Sequence, residues 1–460
     1  MRDRVTLIGA GLAGSLLSIY LAKRGFHVEL YERRPDMRKN RISAGRSINL
    51  ALSVRGIHAL EGVGLRDAIM KIAIPMRGRM IHLPDGALTF QPYGKNDREV
   101  IHATSRSELN ISLLDAAERH ERVRLHFSET CTGMNLKTGE IALHNERTGA
   151  DHIIPADTVI GTDGSVSAIR MEMQKSGRFN FSQHHLEHGY KELTIPAGPD
   201  GTFRIEKNAL HIWPRHSFML IALPNLDGSF TCTLFLPFEG ERSFAALETE
   251  VDVRRFFKQH FPDALPLMDG LAEDFFSNPT GVMVTIKCSP WHVQDKVALL
   301  GDAAHAIVPF FGQGMNCAFE DCTHLDACIE QVGTDWAPVF EEYERRRKVN
   351  TDAIADMALE NFIEMRDHTA DPRFLLKKKV EHALEERYPA VFIPKYSMVS
   401  FHRIPYAVAQ SKGRLQDGIL AELCASINGI DELDWNLADR LIKHGLRDGS
   451  PESLEGVAIS

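Results

Sequence analysis

Val5-Thr-Leu-Ile-Gly-Ala-Gly-Leu-Ala-Gly14 decides the fold. Val5 to Ile8 is a short apolar run of the kind that forms a buried parallel strand. Gly9, Gly11 and Gly14 follow at dinucleotide-fingerprint spacing. Leu12 to Arg24 then carries apolar residues at helical spacing and stops at Gly25. Val28-Glu-Leu-Tyr31 is the next strand, and an acidic residue, Glu32, stands at its end. Such a βαβ unit lets the glycine backbone, with Leu12 and Ala13, close on a pyrophosphate at the positive end of a helix. Glu32 is placed to accept hydrogen bonds from ribose hydroxyls. Arg33 and Arg34 are either partners of an adenosine moiety or ordinary surface arginines.

Two later strand ends repeat the theme. Thr158-Val-Ile160 enters Gly161-Thr-Asp-Gly164, which puts Asp163 in a turn ahead of Arg170. Val297-Ala-Leu-Leu300 enters Gly301-Asp-Ala-Ala-His305, and Gly312-Gln-Gly-Met-Asn316 follows. An Asp at the C-terminal end of a strand faces the ligand side of an open α/β sheet, so Asp302 can bind a polyol hydroxyl. Alternatively it is a helix N-cap. A helix starting near Gly314 would aim its positive end, with Met315 and Asn316, at a flat ring that gains negative charge.

Between these motifs the texture changes. Tyr190 to Ile195, Ala209 to Trp213, Phe218 to Leu223 and Phe230 to Leu236 read as short strands of an antiparallel sheet, and 244–260 as a helix. Ser105 and Glu108 spell a capping box for a helix to Arg119. Beyond Gly314 helices dominate, with one expected over 341–366 and another over 373–388. The predicted class is α/β: a Rossmann-like dinucleotide-binding domain interrupted by an antiparallel-sheet domain, with a helical C-terminal portion. The expected boundaries are 1–72, 100–180 and 290–370 for the first domain, 73–99 and 181–289 for the second, and 371–460 for the helical region.

Composition excludes several functions. The chain has 460 residues, 43% hydrophobic and 25% charged, which are ordinary globular values. Its net charge of −9 argues against broad nucleic-acid or anionic-membrane binding. The seven Cys form no CxxC pair, so no metal site and no disulfide framework is expected. Without an apolar run of about 18 residues or a leader pattern, a cytoplasmic protein with no membrane anchor is expected.

Taken in order, the three glycine and aspartate motifs resemble the flavoprotein aromatic hydroxylases of the para-hydroxybenzoate hydroxylase type. That resemblance implies FAD held by Gly9, Gly11, Leu12, Ala13, Gly14, Glu32, Arg33, Ala51, Arg106, Asp163, Asp302, Gly314, Met315 and Asn316. It also implies NADPH as co-substrate, with no Rossmann domain of its own. Further stretches narrow the resemblance. They include Gly45-Arg-Ser-Ile-Asn-Leu-Ala-Leu52, Met76-Arg-Gly-Arg-Met80, Gln91-Pro-Tyr93, Leu210-His-Ile-Trp-Pro214, Glu360-Asn-Phe-Ile-Glu-Met365 and Ile393-Pro-Lys-Tyr396. These are similar to the kynurenine 3-monooxygenase family, nearly end to end up to about residue 410.

The family acts on L-kynurenine, an aromatic ketone with a carboxylate and an ammonium, and forms 3-hydroxykynurenine with O2 through a hydroperoxide at flavin C4a. The resemblance assigns the carboxylate to Arg79 and Tyr93, and the rest of the polar end to Tyr396 and Asn361. Ile221, Leu223, Phe235 and Phe310 become ring walls, closed by Glu364 and Met365. Arg is suited to the carboxylate because its planar fork makes two parallel bonds. Arg77 and Arg79 lie two apart on an expected strand and so share a face; periodicity does not choose between them, and the resemblance chooses Arg79. Asn361 and Glu364 share one face of a helix. His305 reads as structural. The rival readings are a flavin hydroxylase of another aromatic acid, such as a hydroxybenzoate, and a non-enzymatic flavoprotein-fold binder.

Overall fold

The computed structural model describes residues 3–39, 49–368, 371–389 and 391–447. The expected stretch at 45–48 lies outside them. Strand Arg4–Ile8 lies at the heart of a six-stranded sheet. It pairs in parallel with His27–Glu32 on one side and Val159–Gly161 on the other. Helix Leu12–Lys23 makes the crossover, and Gly25, at φ +92°, releases the chain from it. Val297–Leu299 pairs in parallel with Val159–Gly161, so the late strand does rejoin the early sheet. Both faces of these strands are covered, which is why they read as continuous apolar runs.

The segment between the two returns, joined by two strands from residues 78–92, forms a seven-stranded sheet. Its order is Gly281–Ser289, Asn180–Ile195, Phe230–Pro237, Met219–Pro224, Ala209–Pro214, Gly78–His82 and Leu88–Pro92. It is antiparallel with one exception: Ala209–Pro214 runs parallel to Gly78–His82, placing Leu210 beside Arg79. The exception arises because Gly78–His82 comes from an early segment rather than from a neighbouring hairpin. Trp213, Phe218, Phe230, Phe257 and Phe261 fill the core on one face.

Several local readings change. The helix expected over 244–260 splits into a 3-10 turn, Phe244–Ala246, and helix Glu250–His260. Thr249 and Asp252 cap the latter reciprocally. At Arg106–Glu118 only half of the expected box forms: Ser105 Oγ accepts the Glu108 N–H at 3.4 Å. The strand expected through Arg77 and Arg79 breaks between Ile74–Met76 and Gly78–His82. Arg77 therefore lies in the break and is exposed, whereas Arg79 is buried.

The C-terminal part is helical. Gly314–Val332 packs along Trp336–Ile363, which widens into a π turn at Glu364–His368. Pro372–Arg387 and Tyr406–Cys424 then share a core of Leu376, Val380, Leu384, Leu420 and Leu423. Among the described residues no helix is long and apolar enough to cross a membrane.

Candidate functional site

The glycine turn has three distinct environments. Gly9 has φ +102°, and a Cβ there would lie 2.6 Å from the Thr162 carbonyl oxygen. A Cβ on Gly14 would lie 2.0 Å from the Gly9 carbonyl oxygen. A Cβ on Gly11 would meet nothing within 4 Å, so the backbone at the helix start is open to a ligand. Buried Glu32 braces the turn: Oε2 accepts the Ala10 N–H at 2.9 Å, and Oε1 accepts Arg34 Nε at 2.7 Å. Arg33 is exposed.

Asp302 opens the short helix Asp302–His305, where it is exposed at the C-terminal end of Val297–Leu299. The capping position belongs to Gly301, at φ +64°, so the alternative reading of Asp302 as N-cap fails. Asp321 Oδ2 holds this turn from behind, accepting the Gly301 N–H at 3.2 Å and pairing with His305 Nε2 at 2.6 Å. His305 is thus structural. Its grouping with Cys317 and Asp321 could hold a metal by distance alone, but Arg347 donates to Asp321 at 2.6 Å and lies 3.3 Å from the Cys317 sulfur.

The helix after Gln313 starts at Gly314, with Met315 half-buried behind it. Asn316 is fully buried and its side chain is committed: Oδ1 accepts the Ser53 N–H, and Nδ2 donates to the carbonyls of Ala51 and Gly312, both at 2.8 Å. It therefore shapes the site through Ala51 rather than presenting its amide to a ligand. Asp163 Oδ2 accepts the Ala168 N–H at 2.7 Å, while its buried Oδ1 has no partner. Burial pushes that carboxyl up. Arg106 is exposed at the start of its helix. Open space at Gly11, the exposed Asp302 carboxylate and a long helix start at Gly314 fit an FAD.

A separate cavity lies between the seven-stranded sheet and the C-terminal helices. Arg79, Tyr93, Asn361, Glu364 and Tyr396 all line it. These residues come from distant segments, and the fold brings them together. Arg79 is 7% exposed, and its Nε has no hydrogen-bond partner among the described residues. Its Cζ lies 5.6 Å from the Tyr93 ring and 5.4 Å from the Tyr396 ring, which stack on each other at 5.2 Å. Burial works against the Arg79 charge, but Tyr93, Tyr396 and Glu364 hold its pKa above the ordinary value. Burial pushes both tyrosine hydroxyls up, so they stay protonated at neutral pH. The cavity therefore offers one buried cation with an unused donor and two phenolic hydroxyls. Such a set has the chemistry to accept a carboxylate.

A model of the FAD binding domain family matches residues 2–358. Kynurenine 3-monooxygenase of Myxococcus xanthus is 54% identical over 455 residues, covering 99% of this chain and 98% of that protein. The protein of the same name from Dictyostelium discoideum is 49% identical over 453 residues, covering 95% of this chain and 97% of its own. The chain belongs to the kynurenine 3-monooxygenase family. Among solved structures, the tetrameric form of 2-methyl-3-hydroxypyridine-5-carboxylic acid oxygenase shares the fold at TM-score 0.65 and 21% identity, over 82% of this chain and 95% of that one. PqsL of P. aeruginosa, in complex with 2-aminobenzoylacetate, does so at 0.61 and 19%, over 79% of this chain and 97% of that one.

The ring walls suggested by the kynurenine 3-monooxygenase resemblance do not line the polar cavity directly. Phe235 and Phe310 pack at 4.9 Å in a core that also holds Met365. Leu223 packs with Tyr93 in a smaller cluster, against which Ile221 rests. Asn361 joins the two environments: its amide donates to the Phe310 carbonyl at 2.6 Å and contacts the Met365 sulfur at 3.4 Å. Sequence reasoning missed the third side of the cavity, where Lys377, Lys378, Glu381, Lys395, Gln416 and Asp417 sit. Their helical charge pattern reads as a solvated face.

Proposed function

We propose that this chain is an FAD-dependent, NADPH-consuming monooxygenase that hydroxylates L-kynurenine to 3-hydroxy-L-kynurenine. One oxygen atom of O2 enters the ring, the other leaves as water, and NADPH supplies the electron pair. Bound FAD supplies the redox centre and the site of oxygen activation. The glycine turn, Glu32, Asp302 and the start of the Gly314 helix hold it; Leu12, Ala13, Arg33, Ala51, Arg106, Asp163 and Met315 complete its surroundings. The domain division expected from the sequence goes with this reading. Seven unpaired thiols suit a reducing, cytoplasmic setting.

The observation that carries the substrate reading is the unpartnered Nε of buried Arg79 beneath the Tyr93 and Tyr396 rings. Arg79 and Tyr93 bind the substrate carboxylate, and Asn361 and Tyr396 complete the polar end. The apolar residues Ile221, Leu223, Phe235, Phe310 and Met365 flank the aromatic ring and exclude water. Glu364 closes the cavity from the long helix. The test is formation of hydroxykynurenine from L-kynurenine, NADPH and O2, with 4-hydroxybenzoate as the competing substrate. No product from kynurenine by the FAD-loaded protein overturns the reading; product from hydroxybenzoate alone replaces it with the rival.

A further inference from the structure

We infer that Lys378 keeps the Arg79 guanidinium available to a substrate carboxylate by drawing the Glu364 carboxylate to itself. The inference rests on the kynurenine reading and adds a positioning residue from the C-terminal helices. Arg79 and Glu364 line one cavity, and Glu364 is the carboxylate whose charge acts on Arg79. A carboxylate beside an open guanidinium fork tends to a bidentate pair, the strongest geometry open to either group. Such a pair would occupy the donors that an incoming carboxylate needs.

The structure holds a different arrangement. Lys378, on helix Pro372–Arg387, places Nζ 4.0 Å from Glu364 Oε1 and 3.0 Å from Glu381 Oε2. Burial pushes the Glu364 carboxyl up, but Lys378, followed by Arg79, Lys395 and Lys377, brings it below its ordinary value. All three lysines have a partner nearer than Glu364, Glu381 being that of Lys378, but among the described residues only Lys378 reaches within 4.0 Å of Glu364. Lys377 pairs with Asp417 at 2.7 Å, and Lys395 with Glu360 at 3.4 Å and Asp417 at 3.7 Å. Lys378 is thus the cation placed to compete with Arg79 for Glu364. Charges alternate through the cavity from Arg79 to Glu364, Lys378 and Glu381, and Arg79, at the end of the row, keeps an open donor. The desolvation of Arg79 is already spent in folding, so a carboxylate arriving there meets a preorganised cation.

Three variants of the FAD-loaded protein test this: Lys378→Met, Lys378→Arg, and Lys378→Met combined with Glu364→Gln. L-kynurenine binding is read by calorimetry and by the split of KM against kcat, with the decarboxylated amine of kynurenine as control ligand. Lys378→Met weakens L-kynurenine by about tenfold, the value of one charge-assisted hydrogen bond, and the loss falls on KM more than on kcat. Lys378→Arg stays close to wild type. Adding Glu364→Gln restores most of the affinity, because a neutral amide does not compete for Arg79. The decarboxylated amine binds wild type and Lys378→Met alike. Unchanged kynurenine affinity in Lys378→Met, or a double variant as weak as the single one, overturns the inference. Wild-type protein that binds kynurenine without hydroxylating it overturns the functional reading instead, while calorimetry still reads the Lys378 effect.

Discussion

Buried arginines in this molecule have opposite surroundings. Arg347 donates to Asp321 at 2.6 Å, to Glu320 at 2.7 Å and to the Cys317 carbonyl at 3.2 Å. Arg55 pairs with the same Glu320 and donates to the carbonyls of Val399 and Ile404, which ties the C-terminal helices to the FAD side of the molecule. Arg79 is nearly as buried, yet its Nε is unpartnered and its neighbours are aromatic rings and a shared carboxylate. The difference teaches that burial of a cation does not mark a binding site. Arg347 is saturated and architectural; Arg79 differs in that its unused donor lies on a cavity, whereas the unpartnered nitrogens of Arg170 and Arg215 do not line it.

The comparison breaks most visibly under Arg347→Met, which leaves Glu320 and Asp321 buried without their shared cation. The expected loss is about 3–5 kcal/mol in denaturant unfolding. A variant as stable as wild type would make the cluster dispensable. Acid provides a second probe. Burial alone would raise Glu320, but Arg55 and Arg347 outweigh it and lower its pKa from 4.5 to about 2. A depressed folded pKa means that this stabilisation is present above the unfolded value and is lost as pH falls from 4.5 towards about 2. Stability followed by unfolding across that window should fall more steeply with falling pH in wild type than in Glu320→Gln.

Arg79→Met should behave in the opposite sense. Stability changes by no more than about 1 kcal/mol, since no saturated network is broken, while KM for kynurenine rises roughly ten- to a hundredfold. Unfolding on the scale of Arg347→Met would erase the distinction between the two regions. The smallest effect is expected for Tyr93→Phe, which removes one neutral hydrogen bond to the carboxylate. About a three- to tenfold rise in KM, with kcat retained, is the outcome to check by steady-state kinetics.

The glycine turn was legible because its constraint falls on backbone. Gly9 stands at φ +102°, a Cβ on Gly14 would meet the Gly9 carbonyl, and Asp302 follows a strand. Legibility faded where the same residue types serve packing. Asn316 reads as a contact to a flat ring, but its amide is consumed by Ser53, Ala51 and Gly312. Arg77 and Arg79 are equivalent by periodicity, and only the strand break at 77 separates them. Lys378 was invisible because a lysine on an amphipathic helix reads as solvated until another part of the chain closes over it.

By itself the sequence determined the parallel sheet, its glycine turn, the late return of Val297–Leu299 to that sheet and the family of the chain, because each depends on contiguous residues or on their order. Only the tertiary structure decided which buried cation turns an open donor to the polar cavity and which acid lines it alongside. Those properties depend on side chains from a strand, a π turn and a C-terminal helix meeting in one cavity, and no local pattern encodes that meeting.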